Sequence, residues 1–93
     1  MSASADDVLL AQQSCLDAID SGDPEACHAA WQAYDQLVRG LSTHGVATAT
    51  LRQVLDGHFA LESRARQARD QLAESQQTVT RQRTADRAYR AHE

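Results

Sequence analysis

The stretch SGDPEACHAAWQAYDQLVRGL, residues 21–41, decides how this chain folds. Gly22 can close a helix in the left-handed conformation that glycine adopts without strain. Asp23 is a strong N-cap residue, and Pro24 suits a first helical position, where its missing N–H has no partner to lose. One helix therefore ends and the next begins within three residues, which makes the two antiparallel neighbours. Past the turn, Cys27, Ala30, Trp31, Tyr34, Leu37, Val38 and Leu41 recur at steps of three and four and form one apolar stripe. The spacing predicts a helix over about 24–43. Gly40 lies inside it at about 1 kcal/mol relative to alanine, and Gly45 is the expected stop.

Toward the N-terminus, Ser4 and Asp7 have the spacing of a capping box, so a first helix is predicted over about 5–21. Leu9, Leu16 and Ile19 set its stripe, widened by Val8, Ala11, Cys15 and Ala18. Toward the C-terminus, Thr50 and Gln53 have capping-box spacing and predict a third helix from about 51. Val54, His58, Leu61, Ala65, Ala68, Leu72, Ser75, Val79, Gln82, Asp86 and Tyr89 take successive core positions of a heptad. The stripe is apolar to Leu72 and then thins to Val79 as its one large apolar residue before Tyr89. A straight helix over 51–91 would be about 60 Å, twice the length of its partners. A change is therefore expected near residues 75–80, with helical segments over about 51–75 and 77–91. The last segment bends back as a short fourth helix, overhangs, or pairs with another copy. The expected fold is all-α: a single domain over 1–93, an antiparallel three-helix bundle with a long third helix.

Composition agrees. The chain is 42% hydrophobic and 4% aromatic, with one proline and four glycines, a profile of helices more than strands. No run approaches the roughly 20 apolar residues of a membrane span. The N-terminal MSASADDVLL lacks the basic region of a signal peptide, so a cytoplasmic protein is expected, with Cys15 and Cys27 as free thiols. Residues 1–44 carry seven acids and one base, Arg39; residues 45–93 carry six acids and eight arginines. Arginines interleaved with acids on a chain of net charge −4 argue against a nucleic-acid footprint.

The chemical candidates reduce to structural ones. Cys27 and His28 are adjacent on a helix and point about 100° apart, so they cannot grip one metal or act as nucleophile and base. Cys15 and Cys27 sit at similar distances from Gly22 and are expected to meet in the core. His58 holds a core heptad position and is expected to bond a carbonyl or a side chain. His44 and His92 have no second ligand at metal spacing. Asp17, Asp20, Asp23 and Glu25 crowd the first turn without calcium-loop spacing. Trp31 and Tyr34 read as core with partly exposed edges, and Arg64, Arg66 and Arg69 as a solvated face with Glu62 and Asp70. With no nucleotide cradle, nucleophile elbow or zinc-protease motif, neither an enzyme nor a cofactor or metal is expected.

AIDSGDPEACHAAWQAYDQLVRGL, LRQVLDGHFALESRARQARDQLAESQQ and TADRAYRAH, in that order, resemble the turn and second helix, the long third helix and the alanine–tyrosine end of FliT-type flagellar export chaperones. The resemblance spans roughly residues 8–91 and rests on pattern and order. It implies a type III secretion chaperone that holds a filament-cap protein and delivers it to the export ATPase or gate. It places a groove between the second and third helices, here Leu37, Leu41, Val54, Phe59, Leu61 and Leu72. Arg64, Arg66 and Arg69 are candidate rim contacts, and a regulatory tail would centre on Val79 and Tyr89. The function expected from it is binding an amphipathic segment of the export substrate to prevent premature assembly. The alternative is a homodimeric structural or adaptor protein, paired through the 54–89 heptads.

Overall fold

A computed structural model describes residues 3–91 as three α-helices: α1 (Ala5–Ser21), α2 (Pro24–Arg39) and α3 (Thr48–Ala91). Met1, Ser2, His92 and Glu93, with the readings that fall on them, lie outside the described residues. Local chemistry sets the first two helix starts. The Ser4 hydroxyl accepts from the Asp7 N–H at 3.1 Å, and the Asp7 carboxylate accepts from the Ser4 N–H at 3.2 Å. Asp23 accepts from the Glu25 N–H at 3.0 Å, with Pro24 in the first turn of α2. Between them Gly22 adopts φ 73° and donates its N–H to the Ile19 carbonyl, as the turn requires.

Two boundaries differ from expectation. The second helix stops at Arg39, with Gly40 as its cap and not an interior residue. The N-terminal segment supplies the reason: the Ala3 N–H donates to the Gly40 carbonyl at 3.0 Å and holds the chain out of the helix. Gly45, at φ 75°, instead turns the linker. The third helix is under way by Thr48, and Thr50 and Leu51 both donate to the Ala47 carbonyl, so Thr50 is inside the helix and not its cap.

The third correction concerns length. α3 runs unbroken to Ala91, with neither a break near residue 76 nor a folded-back fourth helix. Polarity does not break a helix; proline and glycine do, and none follows Gly57. Thr78 and Thr84 keep their hydroxyls on the carbonyls of Glu74 and Thr80. At about 1.5 Å per residue α3 is about 66 Å long, and it sets the 73 Å long dimension of the molecule.

Contacts between helices give the directions. Ala3 meets Gly40, Gln12 meets Tyr34, and the Cys27 thiol donates to the Ala18 carbonyl at 3.3 Å, so α2 is antiparallel to α1. Gln12 meets Val54 and Asp20 meets Arg64, so α3 runs parallel to α1. α1 packs against both neighbours. The core is Val8, Cys15, Tyr34 and Leu61, flanked by half-buried Ala11, Leu16, Ile19, Ala30, Trp31, Leu37, Leu41 and Val54. Every described residue from Arg69 onward is exposed. α3 therefore has a packed half and a half that projects past the α1–α2 turn.

Candidate functional site

The polar centre of the packed half is a chain of hydrogen bonds that starts at Gln12, only 6% exposed. Its Nε2 donates to the Val54 carbonyl at 2.9 Å and to the Tyr34 oxygen at 3.3 Å. A carbonyl only accepts, which fixes the orientation of the amide. With its oxygen already accepting, the Tyr34 O–H is left to donate to His58 Nδ1 at 2.8 Å. The other ring nitrogen, Nε2, then donates to Glu62 at 2.7 Å, and the far oxygen of Glu62 takes Arg66 at 3.5 Å. Tyr34 and His58 also stack, with centroids 5.9 Å apart. Both His58 nitrogens are engaged within the chain of bonds, which links α1, α2 and α3.

Gln12 lies between Val8 and Cys15 at core spacing and is the one buried residue that the apolar stripe omits. The signal for it is Gly57. A Cβ there would stand 2.9 Å from the Gln12 Cδ, closer than real side chains approach. Glycine in mid-helix makes room for the amide.

Where α3 leaves the packed half, an open groove of 530 Å³ forms against the α1–α2 turn. Ile19, Cys27 and Trp31 from the hairpin face Ala65, Ala68 and Leu72 from α3. Arg64 and Arg69 supply its charge. Arg64 Nη2 reaches Asp20 at 3.0 Å, while its Nη1 is the one buried side-chain polar atom without a hydrogen-bond partner among the described residues. Leu72 is 60% exposed at the open end. The groove is thus an apolar trough with cationic groups beside it.

The structure brings Arg64, Arg69 and Leu72 together here and sets the other sequence candidates elsewhere. Leu61 is fully buried in the core, out of reach of any partner. Leu37, Leu41 and Val54 pack around that core. Phe59 is exposed on α3, its ring 6.2 Å from that of His58, and Arg66 is tied to Glu62. Val79 and Tyr89 are exposed on the projecting half. The heptad face has its first half, Val54 and Leu61, packed on the core, and only its stretch from Leu72 is bare. Cys15 and Cys27 are free thiols, with Cys15 buried. Burial, reinforced by the charge of Cys27, pushes the Cys15 thiol above its ordinary value. Among the described residues no cluster of potential metal ligands occurs, and no helix is long and apolar enough to cross a membrane.

No family model, curated protein or solved structure matches the chain.

Proposed function

We propose that this protein is a small three-helix bundle that binds an amphipathic helix from another protein. The observation that carries the proposal is the groove at the α1–α2 turn, with its apolar floor and with Arg64 and Arg69 in its lining. Ile19, Cys27, Trp31, Ala68 and Leu72 would take the client's apolar stripe, removing it from water and from premature assembly. Arg64 and Arg69 would meet acids on the client's flank.

The specific form of this reading is a flagellar export chaperone for a filament-cap-type substrate, as the resemblance of residues 8–91 implies. The order of its helices and the apolar groove that includes Leu72 support it. The test is co-expression of the full chain with the C-terminal segment of a filament-cap protein, followed by gel filtration. Co-elution that Leu72→Asp abolishes supports the chaperone. Separate elution of the wild-type chain and the segment overturns the flagellar form.

A further inference from the structure

Residues 76–91 carry Arg81, Arg83, Arg87 and Arg90 against a single acid, Asp86. All of them lie on the exposed half of α3. Val79 and Tyr89 are exposed among these arginines, on a stretch of α3 that buries nothing. The other end of the molecule is the electrostatic opposite. The α1–α2 hairpin and its flanks, residues 1–44, hold seven acids and one arginine.

The hairpin also has a second groove, distinct from the proposed client site and lined by α1 and α2 alone. Asp7, Leu10, Ala11, Ser14, Ala30, Ala33 and Leu37 enclose 330 Å³ of it. Leu10 is 69% exposed at its edge. The small residues Ala11, Ser14, Ala30 and Ala33 would let another helix approach closely. Asp6, Asp7 and Asp17 are exposed on α1, and no arginine pairs with them among the described residues.

We propose that the basic half of α3 docks in the α1–α2 groove of a second copy of this chain, reciprocally, in a twofold dimer. Charge complementarity selects the occupant: a helix of net charge +3 over residues 76–91 meets the three acids Asp6, Asp7 and Asp17 of α1, none of which is paired with an arginine among the described residues. The chain cannot do this to itself. α3 runs parallel to α1 and continues past the turn without a break, so its basic half points away from its own hairpin. Length agrees as well. The basic stretch 76–91 is about 24 Å long, which matches the roughly 25 Å of α1. Each hairpin then lies between its own α3 and the partner's, and the bare Val79 and Tyr89 find apolar cover at Leu10 and Leu37. The contact is isologous, as twofold symmetry demands.

Sedimentation equilibrium on the full chain at low salt tests this, with a complete charge swap. The wild type is expected to dimerise, and the dimer to weaken about tenfold or more at high salt, where exposed charges are screened. Arg83→Glu/Arg87→Glu and Asp6→Arg/Asp17→Arg should each be monomeric, since each sets like charges together. An equimolar mixture should form a 1:1 dimer, because both of its contacts are again complementary. All four sites are exposed, and circular dichroism checks that each variant folds. A wild type that stays monomeric, or an arginine-reversed variant that still dimerises, overturns the proposal. So does a monomer that binds duplex DNA through the same arginines. None of these outcomes touches the groove at the α1–α2 turn, so client binding stands or falls separately.

Discussion

The Gln12 side-chain amide fills the space that a side chain at Gly57 would need, and from there it holds α2 and α3 at once through Tyr34 and the Val54 carbonyl. A residue of α1 thereby specifies the register of both neighbours. Gly57→Ala raises helix propensity by about 1 kcal/mol in isolation. In this fold it should instead lower stability by about 1–2 kcal/mol, because a pinned amide must leave its partners. Urea unfolding of the single variants and of Gln12→Ala/Gly57→Ala measures the coupling. The double variant should recover most of the strain that Gly57→Ala introduces.

Tyr34→Phe removes one hydroxyl and takes a partner from both Gln12 and His58. The change should destabilise by about 1–3 kcal/mol although the ring keeps its place. Equilibrium unfolding checks the size. An unchanged midpoint would mean that water satisfies both groups.

Helix ends in this chain are legible where their chemistry is local. Ser4, Asp7, Gly22, Asp23 and Pro24 satisfy one another within a few residues, and both helices of the hairpin start where those residues say. The end of α2 depends on Ala3, 37 positions before Gly40, and no stripe or turn motif encodes that hydrogen bond. The buried amide of Gln12 needs Gly57, and the position of Arg64 needs Asp20, each on a different helix. The expected break near residue 76 rested on a thinning stripe and on a helix twice as long as its partners, and neither ends a helix whose backbone hydrogen bonds continue. The site was partly legible for a similar reason. Leu72 marks the point where the stripe thins, which is also where α3 leaves the hairpin. The hairpin's share of the groove, Ile19, Cys27 and Trp31, reads from the sequence only as core.

Cys15 offers a pH test. Its thiol is raised chiefly by burial and then by the charge of Cys27, so the unfolded chain ionises first. Its contribution to stability is intact below the ordinary thiol value of 9.0 and is lost as pH rises through the higher folded value. Melting temperature should fall above pH 9.0, and Cys15→Ala, though less stable throughout, should fall less steeply. A thiol reagent should modify Cys15 only as the protein unfolds. Equal slopes for the two proteins would place Cys15 in water.

Asp20 competes for the cation that the groove offers a client. It is largely exposed, and its pair with Arg64 is worth at most about 1 kcal/mol to the fold. Asp20→Asn should leave the melting temperature within a few degrees of wild type and tighten binding of an acidic helix several-fold. Calorimetric titration reads that gain. Weaker binding by Asp20→Asn would mean that the Asp20 pair positions Arg64 and does not compete with the client.

The chain has one tryptophan, and it lines the groove. The most direct measurement is therefore a titration of Trp31 emission with an acidic amphipathic helix, the C-terminal segment of a filament-cap protein. Wild-type protein should show a saturable blue shift, and Leu72→Asp should lose it while keeping its helical circular dichroism. An emission spectrum that does not move, or that moves equally in Leu72→Asp, would contradict the groove.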